Sequence, residues 1–219
     1  MIVRVSKDDP KPTGRYTISG NTEVQFVDSA ETVLKNKKGI DDLHTLQTEE
    51  EAALAGAYSQ LLGEVRSDTP IMNELIRYVH KVIFGDLFDW SGRWRTVKIG
   101  KDETVWPPPD FLESAMQEFE REVLNHYPAS TLADDDVFCT AVGHIQGEFL
   151  AIHPFREGNA RTIKLVTDLL AAQTKRLPLK YDMTASGVTK YIEAAKAAML
   201  KNYESMTTII REALAVTQQ

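Results

Sequence analysis

The stretch Ile152-His153-Pro154-Phe155-Arg156-Glu157-Gly158-Asn159-Ala160-Arg161-Thr162-Ile163-Lys164 decides the fold of this chain. It lies between two apolar runs of helical character, 137–152 and 162–172. Pro154 disfavours helical backbone at the residue before it, so the first helix should end at His153. Gly158-Asn159 indicates a tight turn that leads into a second helix at Ala160 or Arg161. We therefore predict two buried helices joined by a short polar loop.

The residue types in this loop indicate an anion-binding site. A helix N-terminus offers backbone N–H groups and Arg161 adds a cation, so phosphate is the expected occupant. Glu157 is a poor neighbour for phosphate unless a metal ion lies between them, and a hard oxygen ligand favours Mg2+. His153, at the mouth of the loop, is suited to take a proton from an incoming hydroxyl.

The segment from His153 to Lys164 resembles the Fic motif, H-x-F-x-[D/E]-G-N-[G/K]-R-x-x-R, and the stretch TVLKNKKGI at 32–40 is similar to the start of many Fic domains. The resemblance implies an all-α fold, a Fic-type helical bundle with one short β-hairpin called the flap. It also implies a protein adenylyltransferase, which moves AMP from ATP to a Tyr, Ser or Thr hydroxyl of a target protein and releases pyrophosphate. ATP is then the co-substrate and Mg2+ the cofactor.

The resemblance also implies a role for each matching residue. His153 is the general base that deprotonates the target hydroxyl, and Glu157 holds Mg2+ against the phosphates. Phe155 packs inward and fixes the loop. Most of the catalysis should come from positioning and charge neutralisation. The residues expected at the phosphates are Gly158, Asn159, Ala160, Arg161 and Lys164.

Two positions depart from the family pattern. Ala160 stands where a second glycine is usual. In the Doc branch this residue is a lysine and the protein phosphorylates its target; Ala160 lacks that cation and Gly158 is retained, so AMP transfer is favoured. Lys164 replaces the arginine that grips the terminal phosphate. Lysine keeps the charge but loses the bidentate geometry, so phosphate binding should be weaker.

Residues 85–110 are the least helical part and predict a hairpin, with turns at 90–93 and 100–102. One interpretation is a ribbon that packs on the surface. The other is an open strand edge that holds a target peptide through main-chain hydrogen bonds. The segment FDWSGRWRTVKIGKDETVW resembles the Fic flap, which favours the second. The resemblance then assigns the target-facing edge to Val97, Lys98, Ile99, Gly100 and Lys101.

Composition limits the remaining functions. The chain has 219 residues, a formal net charge of -7 and one cysteine, Cys139, which we expect to be a buried apolar side chain. The negative charge argues against a nucleic-acid or anionic-membrane binder. No apolar run approaches the roughly 20 residues that span a bilayer, and the N-terminus lacks a secretory signal. We expect a cytoplasmic protein; export by a specialised secretion system would leave no readable mark.

The spacing of apolar residues along the chain predicts helices at about 43–65, 70–84, 111–127, 137–152, 162–174, 188–200 and 203–216. Asp41-Asp42 should cap the first helix, and Glu49-Glu50-Glu51 should form a solvated face. His80 is expected to be structural. We divide the chain into an irregular or short extended N-terminal arm (1–28), a Fic domain (29–205) and a C-terminal helix (206–219).

Many Fic proteins are inhibited by a helix that carries [S/T]-x-x-x-E-[G/N]. Thr208/Glu212 has the first spacing, but Ala213 follows, so we expect no full internal inhibitor and dependence on a separate antitoxin. One alternative is a catalytically weakened Fic-fold binding module. Another is transfer of a different phosphate-linked group: UMP, phosphate or phosphocholine.

Overall fold

A computed structural model describes residues 17–19, 23, 25–101 and 103–218. Most of the predicted N-terminal arm lies outside these residues. The described part contains seven α-helices and three short strands, in the order β1 (Thr17–Ser19), α1 (Leu43–Glu64), α2 (Asn73–Phe84), β2 (Lys98–Lys101), β3 (Thr104–Val105), α3 (Leu112–Glu122), α4 (Asp135–Ile152), α5 (Asn159–Gln173), α6 (Ala185–Ala198) and α7 (Glu204–Thr217). Short 3-10 turns occupy 109–111, 124–126 and 129–131. The all-α fold class is confirmed.

Helix α4 forms the centre of the bundle. Eleven of its 18 residues are buried, as predicted from an apolar pattern that runs almost all round it. It packs against α3, α5, α6 and α7. Helix α7 approaches very closely, since a Cβ atom on Gly143 would lie 2.4 Å from the Thr207 hydroxyl oxygen. Helix α4 thus runs from the centre of the core to the loop that follows Ile152.

Helix boundaries follow from their capping residues. The Asp42 carboxylate accepts a hydrogen bond of 2.8 Å from the Thr45 backbone N–H and starts α1, as predicted. Asp134 caps α4 in the same way. Helix α6 begins at Ala185, earlier than predicted, because the Thr184 side chain accepts from the Gly187 N–H. Among the described residues, no helix is both long and apolar enough to cross a membrane.

The predicted hairpin is formed by β2 and β3, and β1 adds a third strand to it. Strand β2 is its central strand and pairs antiparallel with β3 on one side and with β1 on the other. The register sets Thr17 opposite Gly100 and Ser19 opposite Lys98. The prediction that this edge of β2 is open is therefore wrong: β1 occupies it. Short-range hairpin signals predicted β2 and β3, whereas pairing with β1 is non-local.

Candidate active site

Two residues with left-handed backbone conformation lie at the two ends of the loop between α4 and α5. His153 ends α4 with φ 52°, and Gly158 precedes α5 with φ 80°. Both changes of direction lie where Pro154 and the Gly-Asn pair predicted them. The left-handed conformation at His153 costs roughly 1–2 kcal/mol, so the surrounding contacts must hold the residue in place.

Asn159 ties this loop together. Its amide oxygen accepts from the Phe155 N–H and its amide nitrogen donates to the Phe155 carbonyl, both at 2.9 Å. The side chain is 2% exposed. Asn159 thus fixes the loop, and both amide atoms that we expected at the phosphate are engaged by the backbone.

Gly158 is required by its neighbour Phe84. A Cβ atom at this position would lie 2.3 Å from the Phe84 ring, and φ is positive. Phe155 is fully buried, as predicted, and stacks on His80 with ring centroids 3.7 Å apart. The loop therefore rests on the aromatic residues of the core.

Glu157 and Arg161 lie side by side at the N-terminus of α5. One carboxylate oxygen of Glu157 accepts from the Gly158 N–H at 3.1 Å and lies 3.6 Å from Arg161 Nη2. Ala160 is half-buried in the first turn of the helix. The structure thus brings a carboxylate, a guanidinium and a helix N-terminus together.

Glu50, on α1, is a member of the site that the sequence analysis missed. Its carboxylate accepts from Arg161 Nη1 at 2.8 Å, and it is 5% exposed. The prediction that Glu49-Glu50-Glu51 is a solvated face is wrong for the middle residue. Helical periodicity carried the only available signal, since Glu50 lies on the same face as the core residues Leu46, Ala57 and Leu61.

His153 lies under Trp106, with ring centroids 4.1 Å apart. Its Nδ1 is 3.3 Å from the Leu150 carbonyl oxygen. Because that oxygen can only accept, the contact places the ring proton on Nδ1 and leaves the basic lone pair on Nε2. Burial lowers the pKa of His153 from 6.5 to about 4, so the imidazole is neutral at pH 7.

Arg95 connects the flap to this loop and was not predicted as a site residue. Its guanidinium donates to the carbonyl oxygens of His153, Val97 and Pro107 at 2.9, 2.9 and 2.7 Å. Its backbone N–H donates to the Pro154 carbonyl. The segment FDWSGRWRTVKIGKDETVW, which resembles the Fic flap, contains this arginine.

His80 supports the loop from the opposite side. Its Nδ1 accepts from the Gly92 N–H at 2.9 Å, which leaves Nε2 to donate to the Glu157 carbonyl oxygen at 3.1 Å. Burial lowers its pKa to about 3. His80 thus stays neutral and has the structural role that we expected.

The predicted target-facing residues all belong to the flap. Val97, Ile99 and Gly100 are buried, and Lys98 and Lys101 are exposed. The Val97 carbonyl already accepts from Arg95. Target contact at this strand would therefore use backbone groups together with the two lysines.

The Lys164 side chain makes its contacts away from Glu157 and Arg161, against two tyrosine rings. Its amino group lies 4.1 Å from the ring centroids of both Tyr181 and Tyr191. Burial lowers its pKa to about 8, and the nearby Asp168 carboxylate acts in the opposite direction. Its charge is thus engaged in the bundle.

Among the described residues, no group of three or more His, Cys, Asp or Glu side chains could hold a metal ion. Glu157 and Glu50 are the carboxylates that lie beside Arg161. Cys139 is buried, as predicted.

Two curated proteins resemble this chain in sequence. Protein adenylyltransferase VbhT of Bartonella schoenbuchensis is 31% identical over 139 residues, which are 64% of this chain and 29% of VbhT. Probable protein adenylyltransferase y4lH of Sinorhizobium fredii is 27% identical over 130 residues, which are 59% of this chain and 66% of y4lH. The matches thus span less than two thirds of either relative.

A solved structure shares the fold. The N-terminal Fic domain of a VirB-translocated Bep effector protein of Bartonella quintana, with bound ADP, superposes with a TM-score of 0.66 and 17% identity, and the match covers 82% of this chain and 89% of that one. Residues 70–171 match the model of the Fic/DOC family, and they include α2, the flap, α4 and the loop built around His153. Residues 70–171 are therefore similar to the Fic/DOC family, and the chain shares the fold of a solved Fic domain.

Proposed function

We propose that this chain is a protein adenylyltransferase that moves AMP from ATP to a Tyr, Ser or Thr hydroxyl of a target protein. The observation that carries the proposal is a buried, neutral His153 on the same loop as an anion site at Glu157 and Arg161. One relative is named a protein adenylyltransferase and the other a probable protein adenylyltransferase, and the similar Bartonella domain is described with bound ADP. A base beside a phosphate site suits in-line attack on the α-phosphorus.

The phosphates of ATP would lie at the N-terminus of α5. The first backbone N–H groups of a helix have no intrahelical acceptor, and the helix dipole favours an anion there. Arg161 Nη2 adds a cationic donor on the same side as Glu157. Gly158 and Asn159 would hold the loop in shape, and the backbone N–H of Ala160 would donate a hydrogen bond to a phosphate oxygen. We leave Lys164 out of this set because its amino group lies over two tyrosine rings.

Mg2+ fits a site with one protein carboxylate. This ion keeps several waters and is usually held by one or two carboxylates together with substrate phosphates. The Glu157 carboxylate adjoins the proposed phosphate position, since it lies 3.6 Å from Arg161 Nη2. Glu157 would hold the ion, and Mg2+ supplies charge neutralisation to the phosphates when it is bound.

His153 would act as the general base through Nε2. The oxygen of the target hydroxyl forms a bond to the α-phosphorus, and the hydroxyl proton passes to Nε2. The bond between the α-phosphorus and the oxygen that bridges to the β-phosphate breaks, and pyrophosphate leaves. Because the pKa of His153 lies well below 7, its imidazole is neutral at pH 7 and can accept this proton without prior deprotonation.

The target would bind as an extended segment along β2, at the edge that β1 occupies. Main-chain pairing suits targets of varied sequence, because hydrogen bonds to the backbone do not read side chains. Ser19 is paired opposite Lys98 and Thr17 opposite Gly100. A target segment would have to displace this strand.

We further propose that a separate antitoxin inhibits the protein. We also propose that the protein acts in the cytoplasm. The pair Thr208/Glu212 has the first inhibitory spacing, but Ala213 follows it and Glu212 is exposed on α7. The boundaries 29–205 remain our proposal for the full domain, with α7 as a C-terminal addition.

A transfer assay tests the function. Purified protein is incubated with Mg2+, cell lysate and ATP labelled on the α-phosphate, in parallel with His153→Ala and with the exposed control His44→Ala. We expect a labelled protein band with the wild type and with His44→Ala, and loss of at least 100-fold with His153→Ala.

The same assay distinguishes the rivals. Label from γ-labelled ATP but not from α-labelled ATP would indicate phosphate transfer and contradict the proposal. Label from UTP or another phosphate-linked donor alone would also contradict it. If no donor gives any label, the binding-module interpretation is favoured.

A further inference from the structure

Glu50 and Arg161 form an ion pair across a large sequence separation, between α1 and α5. The carboxylate of Glu50 is almost fully buried, while Glu49 is half-buried and Glu51 is exposed. A buried carboxylate is costly unless a cation and hydrogen bonds compensate for its lost hydration. The Nη1 of Arg161 donates to it at 2.8 Å. This pair is therefore a specific contact inside the bundle.

Two groups fix the position of the Arg161 guanidinium, and a third lies beside it. Its carbon Cζ lies 4.8 Å from the centroid of the Phe84 ring, which restrains the plane of the group. Glu50 holds Nη1. The other terminal nitrogen, Nη2, is buried and makes no hydrogen bond within the described part of the chain. It lies 3.6 Å from a Glu157 oxygen. The guanidinium is thus bound on one side and directs a donor to the other.

We propose that Glu50 is a positioning residue, which holds Arg161 so that Nη2 faces the phosphates of the nucleotide. The inference deepens the proposed function and rests on it. A mobile arginine loses about 2 kcal/mol of side-chain entropy when it is ordered, and the Glu50 contact orders it before the nucleotide arrives. Arginine also needs its planar fork aligned with the phosphate oxygens, and one fixed nitrogen provides that alignment.

The position of Glu50 argues against an inhibitory role. An inhibitory carboxylate would have to occupy the donor that the phosphate needs. Glu50 instead binds Nη1 and leaves Nη2 available on the side of Glu157. Removal of Glu50 should therefore lower the rate of transfer, although it also removes a negative charge near the bound nucleotide.

The kinetic test uses Glu50→Ala, with Glu51→Ala as the matched control from the exposed face of the same helix. We expect kcat for transfer to fall about tenfold in Glu50→Ala. The KM for ATP should change less than kcat, because removal of the Glu50 negative charge favours ATP binding and offsets the loss from a less well positioned Arg161. Glu51→Ala should be unchanged. An unchanged or raised kcat in Glu50→Ala would overturn the proposal. Should this variant fail to fold, Glu50→Gln, which keeps the shape and one acceptor oxygen, is measured instead and should show the same direction of change.

A binding test needs no transfer activity. The affinity for ATP with Mg2+ is measured by calorimetry for wild type, Glu50→Ala, Arg161→Ala and the double variant. We expect Arg161→Ala to weaken binding by about tenfold in the wild type, and by no more than about threefold when Glu50 is absent. Equal losses in both backgrounds would refute the positioning role. ATP binding without transfer of any label would reject the proposed function alone, and absence of ATP binding would reject both.

Discussion

The guanidinium of Arg95 donates a hydrogen bond of 2.9 Å to the carbonyl oxygen of His153. This hydrogen bond joins the flap to the loop that carries the proposed base. Arg95 is 2% exposed, and its burial lowers its pKa to about 10, which leaves it charged at neutral pH. One side chain thus helps to hold both the left-handed residue His153 and the start of β2.

Replacement of Arg95 should damage both stability and transfer. Arg95→Met removes donors to three carbonyl oxygens, so we expect the free energy of unfolding to fall by about 3 kcal/mol. We also expect kcat to fall more than tenfold, because His153 loses its support. Urea unfolding and the transfer assay measure the two effects. Arg93→Met, two residues away and exposed, is the control; equal losses in both variants would show that the contacts are unimportant.

Acidification should destabilise the protein through its neutral histidines. The pKa of His80 is lowered to about 3 and that of His153 to about 4, whereas each is 6.5 when unperturbed. The unfolded chain therefore binds protons that the folded chain excludes, and the free energy of unfolding falls as pH decreases from about 6.5 to 4. At pH 5 each histidine should lower it by about 2 kcal/mol relative to pH 8.

His153→Ala isolates one of these contributions. The loss of unfolding free energy between pH 8 and pH 5 should be about 2 kcal/mol smaller in this variant than in the wild type, since carboxylate effects are common to both. Identical pH profiles would mean that the folded protein protonates His153 as readily as the unfolded chain does.

Gly158→Ala should be strongly destabilising. A left-handed alanine costs roughly 1–2 kcal/mol, and the contact with Phe84 adds about 1–3 kcal/mol of overpacking. Phe84→Leu in the same chain should recover part of the second cost. Gly63→Ala in α1, which meets no atom within 4 Å, is the control and should be neutral or slightly stabilising. Thermal unfolding of the wild type and these three variants decides the point.

Lys164 should matter to the bundle more than to the nucleotide. Because its amino group lies over Tyr181 and Tyr191, Lys164→Met should change the KM for ATP by less than about threefold and the free energy of unfolding by no more than about 2 kcal/mol. For the same reason, Lys164→Arg should give no gain in kcat. A rise of tenfold or more in the KM for ATP of Lys164→Met would return this residue to the phosphate site.

Weakening of the pairing between β1 and β2 should strengthen binding of the target protein. Ile18→Pro removes a backbone N–H from the strand paired with β2, so the KM for the target should fall by on the order of threefold if the target uses that edge. Ile18→Val keeps the preference for extended backbone and is the control. An unchanged KM in Ile18→Pro would place the target elsewhere.

The sequence was sufficient where the signal was local. Proline before the break, the Gly-Asn pair and the Asp caps predicted the ends of α4, α5 and α1, because each acts on its own backbone. The partners of Glu50, Arg95 and Lys164 depend on how distant elements meet, and no local pattern encodes those contacts. The two amide atoms of Asn159 illustrate the same limit, since the motif gives the residue and only the folded loop gives its partners.

The register of β1 offers a starting point for peptidomimetic design. It places three consecutive backbone positions opposite Lys98, Ile99 and Gly100, with a defined antiparallel direction. A short extended peptide that copies this direction and alignment would bind through main-chain groups, and its side chains could be chosen freely for affinity. Such a compound would compete for the flap without resembling ATP, and its selectivity among related domains would depend on the exposed lysines of β2.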